Sequence, residues 1–168
     1  MLRRCGALAP FVLVGLAAPG AGAASLSADC KPVFAAMEKT LLSNHTTVTT
    51  RGSETLRGVT VDGTTYLQVN GAWRKSPFTP QDNVTQSRGN LKDAKEYTCK
   101  PLPDAVVDGT PVVNFATHTV GSEDDIIDSR IAISKATGLA VSIENRRGAD
   151  GAASYMTRYG YANVKAPM

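Results

Sequence analysis

Residues 61–77 read VDGTTYLQVNGAWRKSP. Asp62-Gly63 and Asn70-Gly71 are the dipeptides that supply positive φ at both central positions of a type I′ turn. They bracket the six residues 64–69, so two tight hairpins share one short strand. Two-residue turns fix the register. Val61 then opposes Thr64, Val59 opposes Tyr66, and Gln68 opposes Trp73. One face collects Val59, Val61, Tyr66 and Trp73, while the other still holds Leu56, Leu67 and Val69. A sheet apolar on both sides must be covered on both, by helices, another layer or a ligand.

Working outward, the turns predict strands over 46–51, 54–61, 64–69 and 72–75, an antiparallel meander closed by Ser76-Pro77. Upstream, residues 29–43 read DCKPVFAAMEKTLLS and place Val33, Met37 and Leu41 at helical spacing, with Phe34 beside them. Asp29 is the expected cap, and Pro32 falls in the first turn, where its missing N–H costs little. Downstream, Thr79 is placed to cap a polar helix over 80–94, with Gly89 inside it. A second set of strands is expected over 96–100 with 105–107, then 111–120, 126–134, 139–146 and 154–164. In this set Ile127, Ile131 and Ile133, then Leu139, Val141 and Ile143, alternate with Arg130, Ser142 and Glu144, one face inward and one wet. The expected class is α+β and mainly antiparallel β, in the order helix, meander, helix, meander. It has one domain over 25–168 and no low-complexity linker.

Residues 1–24 read as a cleavable signal peptide: MLRR is basic, FVLVGLAA is a short apolar run, and Ala21-Gly22-Ala23 is small-x-small. The run is too short for a membrane-spanning helix. Cys5 precedes the apolar run and follows two arginines, which argues against a lipid anchor. Cleavage leaves roughly 145 residues, the length of one domain. It removes Arg3 and Arg4, taking Lys+Arg from 18 to 16 against 15 acids, a net charge near +1. That balance offers no electrostatic footprint for nucleic acid or an anionic membrane. Cys30 and Cys99 remain, and an even count in an exported chain points to one disulfide, with two buried free thiols as the alternative. The alanine- and glycine-rich leader favours a bacterial periplasm. The sequons Asn44-His45-Thr46 and Asn83-Val84-Thr85 matter only in a eukaryotic secretory route.

Catalytic constellations are sparse. His45 and His118 lie on different expected strands without metal-pair spacing, and a lone strand histidine is more commonly a satisfied edge residue. Glu123-Asp124-Asp125 reads as a solvated turn and lacks the spaced oxygens of a calcium loop. Gly148-Ala149-Asp150-Gly151-Ala152 precedes a strand, not a helix, so it is not a phosphate cradle. No cofactor and no metal site are expected, and the chain is not expected to be an enzyme. Tyr155, Tyr159 and Tyr161 share a strand face by parity; with Tyr66 and Trp73 they suit an amphipathic ligand as well as a core.

The order of elements, with the stretches YLQVNGAWRKSP (66–77), YTCK (97–100), VDG (107–109), SKATGL (134–139) and YANVKAP (161–167), resembles the LolA/LolB-like lipoprotein-carrier fold. That resemblance implies a curved, unclosed half-barrel under helical covers, with an apolar concavity for acyl chains. This chain is shorter than a typical carrier, and its second helix is polar. The expectation is therefore a non-catalytic periplasmic binding protein for an acyl chain or other apolar ligand. Val59, Val61, Tyr66 and Trp73 are the expected wall, and Phe34, Met37 and Leu41 the expected closure. The alternative is a structural or interaction module with a self-filled concavity and a periplasmic or envelope protein as partner.

Overall fold

The computed structural model describes residues 28–148 and 153–167. The expected signal segment, 1–24, and residues 149–152 of the glycine-rich loop lie outside the described residues. After a single 3-10 turn at Ala28–Cys30 come α1 (Lys31–Leu42), β1 (His45–Arg51), β2 (Glu54–Val61), β3 (Thr64–Val69), β4 (Ala72–Lys75) and α2 (Pro80–Asp93). They are followed by β5 (Glu96–Val107), β6 (Thr110–Val120), β7 (Ile126–Ser134), β8 (Ala140–Arg147) and β9 (Ala153–Gly160). The strands form one open, curved antiparallel sheet of nine strands in the order β4-β3-β2-β1-β9-β8-β7-β6-β5, with the helices as its covers.

The glycine turns behave as their chemistry requires. Asp62, Gly63, Asn70 and Gly71 all have positive φ, and so do Asp108 and Gly109 at the β5–β6 turn. The register follows: Val61 pairs with Thr64, Val59 with Tyr66, and Gln68 with Trp73. Thr79 caps α2 as expected, in a reciprocal box. Its hydroxyl accepts from the Asp82 N–H at 3.1 Å, and its own N–H donates to the Asp82 carboxylate at 2.8 Å. That contact holds the Asp82 carboxyl below its ordinary value.

Several element ends differ from expectation by a single residue, and three features differ by more. Asp29 is not the cap of α1; it lies in the preceding 3-10 turn, and Cys30 takes the cap position with no side-chain capping hydrogen bond. The two segments expected at 96–100 and 105–107 are one strand, β5, whose register shifts between Leu102 and Ala105. Pro101 and Pro103 have no N–H to give a ladder, which an edge strand and a bulge tolerate. The last strand stops at Gly160 rather than 164. There a Cβ would stand 2.6 Å from the Thr46 hydroxyl, and Tyr161 turns away to donate its hydroxyl to the Ala140 carbonyl at 2.5 Å.

The core gathers on one face of β6–β9. Val33 and Ala36 of α1 pack on Ile131, Ile133 and Ile143, with Met37, Cys99, Val113, Phe115 and Tyr159 around them. The spacing of Val33, Ala36, Met37 and Thr40 puts them along one helix stripe. Thr40 is fully buried and accepts the Ala140 N–H at 2.8 Å, tying the end of α1 to β8. At its start, Cys30 and Cys99 form a disulfide with a Cα separation of 5.2 Å, which ties α1 to β5. Helix α2 runs beside α1, joined by a two-point Arg88–Glu38 ion pair at 2.6 and 2.8 Å. Among the described residues, no helix is long and apolar enough to cross a membrane.

Candidate ligand-binding site

Face parity decides what can form a site. Val59 pairs with Thr46 and Thr46 with Gly160, whereas the core contact on β9 comes from the adjacent Tyr159. Successive residues of a strand point to opposite faces. Val59, Val61, Tyr66 and Trp73 therefore share one face, as expected, but it is the face opposite α1. The expected closure of that wall by Phe34, Met37 and Leu41 does not form. Phe34 stacks on Tyr97 with ring centroids 5.0 Å apart, Met37 packs on the core, and Leu41 is half-buried on the same helix. Val59 and Val61 are nonetheless buried, at 8% and 9% exposure, and Tyr66 and Trp73 are half-buried. The face towards α1 is lined in β1 and β2 by hydroxyls, where Thr49 bonds Thr157 at 2.9 Å and Thr60 bonds Thr65 at 3.1 Å.

The apolar space lies along the flanks of α1. On the β6–β7 side a groove of about 430 Å³ runs between Pro32, Ala35 and Ala36 of the helix and Val113, Phe115 and Ile133 of the sheet. Its origin is local: alanine side chains are too short to fill the gap between helix and strands. Lys39 and Lys135 stand at one end, but both are engaged. Lys39 donates to the Thr137 carbonyl at 2.6 Å, and Lys135 pairs with Asp104. On the other flank, a smaller cleft of about 190 Å³ is lined by Val33, Phe34, Met37, Leu91 and Tyr97. Directly beneath α1, between these grooves, the side chains of the core fill the space. Of the larger groove's residues, only Ile133 belongs to a periodic apolar pattern read from the sequence. The two adjacent alanines on a helix otherwise built of larger residues were the available signal.

The titratable residues are dispersed. His118 on β6 pairs with Asp128 on β7 at 2.7 Å. His45 on β1 lies on the opposite face of the sheet, 4% exposed, its rings' neighbours being Tyr159 at 5.6 Å and Tyr161 at 6.4 Å between centroids. Its Nδ1 donates to the Ser43 carbonyl at 2.8 Å, and burial holds its pKa below the ordinary histidine value. Burial raises the Tyr159 and Tyr161 hydroxyls. Glu123-Asp124-Asp125 is the β6–β7 turn, with Asp124 paired to Lys95 and Asp125 to Arg147. Among the described residues, no group of three or more His, Cys, Asp or Glu side chains is arranged to hold a metal.

No family model matches the chain, and no curated protein matches it in sequence. Solved structures do match. LprF from Mycobacterium bovis superposes with a TM-score of 0.50 at 9% identity, over 84% of this chain and 97% of LprF. MucB superposes with a TM-score of 0.51 at 15% identity, over 82% of this chain; the chain spans 60% of MucB's length. Lipoprotein LppX from Mycobacterium tuberculosis follows at 0.49 and 11% identity, over 83% of this chain and 97% of LppX. Identities this low speak to architecture alone. The open, curved sheet with its helical covers is a LolA/LolB-like carrier fold.

Proposed function

We propose that the protein is a non-catalytic binding protein of the bacterial envelope. It is exported by residues 1–24, and it holds an acyl chain in the groove between α1 and strands β6–β7. The observation that carries this reading is the groove itself: Ala35 and Ala36 face Val113, Phe115 and Ile133 across about 430 Å³ of open, apolar space. That volume lies in the range of small-molecule sites, and apolar walls with polar groups at one end are their usual construction. At the mouth Lys135 is charge-paired to Asp104, while Lys39, bonded to a neutral carbonyl, keeps its positive charge.

The test is displacement of a fluorescent fatty acid from the mature chain by dodecanol, compared between wild type and Ala35→Trp. Wild type is expected to bind and the variant, whose indole fills the groove, to lose on the order of tenfold or more in affinity. Failure of the folded wild-type chain to bind either probe, or equal binding by the variant, would overturn the reading.

A second reading, a protein partner, is favoured by Tyr66 and Trp73. Trp73 lies on the open edge strand β4 and Tyr66 on its neighbour β3, and aromatic residues there are the usual anchors of an interface. Trp73 separates the two. A ligand beside α1 leaves its emission unchanged, because it lies on the opposite face, whereas a partner at β4 shifts it.

A further inference from the structure

The face of the sheet turned away from α1 carries a second groove, across β5–β8. Its cross-strand rows follow from the register. Thr98, His118, Asp128 and Arg146 form one row; Lys100, Ala116, Arg130, Glu144 and Met156 form the next; Leu102, Asn114, Ala132 and Ser142 form a third. The first two rows line a depression of about 380 Å³, and the last two line one of about 400 Å³. Arg130 and Glu144 belong to both, so the depressions are continuous.

The charges along this groove do not cancel. Asp128 is hydrogen-bonded to His118, and Glu144 is paired to Arg146 at 3.1 Å, so with the histidine neutral three cations (Lys100, Arg130 and Arg146) stand against two carboxylates. The side chains of Lys100 and Arg130 have no hydrogen bond or ion pair among the described residues. They flank Ala116 directly on either side, so two long cations stand over a methyl floor. An ammonium and a planar guanidinium facing one gap suit a carboxylate or phosphate. The other end is apolar: Leu102, Val107, Ala132 and Met156 line it. Here the tip of the β5–β6 hairpin folds over the face and is held by an Arg158–Asp108 ion pair to β9.

We infer that this groove is a binding site for a single-chain amphiphile with an anionic head, the head between Lys100 and Arg130 and the chain over Leu102, Ala132 and Met156 beneath Val107. It is distinct from the groove beside α1 and does not rest on it.

The test uses the isotope-labelled mature chain carrying Ala35→Trp, so that the α1 groove is filled, and follows amide shifts on titration with decanoate, decanol or inorganic phosphate. Decanoate is expected to shift Thr98, Ala116, Arg130 and Met156. It should bind on the order of tenfold more tightly than decanol, from its charge-assisted bonds, and than phosphate, from its buried chain. Lys100→Gln with Arg130→Gln should erase the preference for decanoate over decanol. Decanoate and decanol binding alike at these amides, phosphate binding as tightly as decanoate, or the double variant keeping the preference would overturn the proposal. In a parallel titration of the chain with Ala35 intact, the absence of decanol-induced shifts at Ala35 and Phe115 would overturn the α1 reading and leave this one standing.

Discussion

Strands β5–β8 and strands β1–β4 belong to one sheet but are ordered by different means. The first set is held by α1, whose Val33 and Ala36 pack on Ile131, Ile133 and Ile143, and by the Cys30–Cys99 disulfide. The second owes its register to two-residue turns and, on the α1 side, to paired threonine hydroxyls. Apolar residues on both faces of β2–β4 thus do not mean that a helix covers both. The helix goes where the isoleucines alternate most regularly, and the two clefts along its flanks follow it.

The largest expected effect breaks the clamp on the helix-covered set. The disulfide closes a loop of 69 residues, and in the chain-entropy model its removal costs about 4 kcal/mol. Cys30→Ser with Cys99→Ser should lower the free energy of urea unfolding by that order. Because Cys30 precedes α1 directly, acyl binding beside the helix should fall as well. Unchanged stability would mean that α1 is anchored by Val33 and Thr40 alone.

Next in size is a contrast between the sets. Ile143→Ala, in the core beneath α1, is expected to cost about 3 kcal/mol. Across the sheet, Thr49→Val leaves the Thr157 hydroxyl without its partner, at about 1 kcal/mol. The double change Thr49→Val with Thr157→Val should recover most of that loss, since two facing valines need no hydrogen bond. A double variant no more stable than the single would show that the hydroxyl pair has a net value of its own.

What was legible in the sequence was local. Asp62-Gly63 and Asn70-Gly71 determine φ at four positions and hence the pairing of Val59 with Tyr66. Thr79 and Asp82 hold both halves of a helix cap within four residues. The β1–β9 pairing joins residues more than a hundred positions apart, and nothing local to Thr47 or Tyr159 encodes it. That pairing decides which face of Val59 looks towards α1, so the expected wall and its expected closure were assigned to one side without the constraint that separates them. The α1 groove was hidden for another reason. It exists because Ala35 and Ala36 are small, and absent side-chain volume leaves no periodic signal.

The smallest effect lies at the seam between the two sets, where His45 of β1 packs on Tyr159 of β9 and on Tyr161. Burial lowers the His45 pKa from 6.5, so between that value and its folded value the unfolded chain holds a proton that the folded chain does not. Stability is therefore complete above about 6.5 and falls as pH drops through this window. The lowered carboxyls of Glu38 and Asp82 act the same way, but only at the more acidic end, below 4.5. His45→Gln should flatten the upper window and leave the lower one. Hydrogen exchange locates the change: just below pH 6.5, amides of Thr47 and Tyr159 are expected to lose protection while those of Phe115 and Ile131 keep theirs. If all four lost protection together, acid would be loosening the helix-covered core itself, and the two sets would be one cooperative unit despite their different construction.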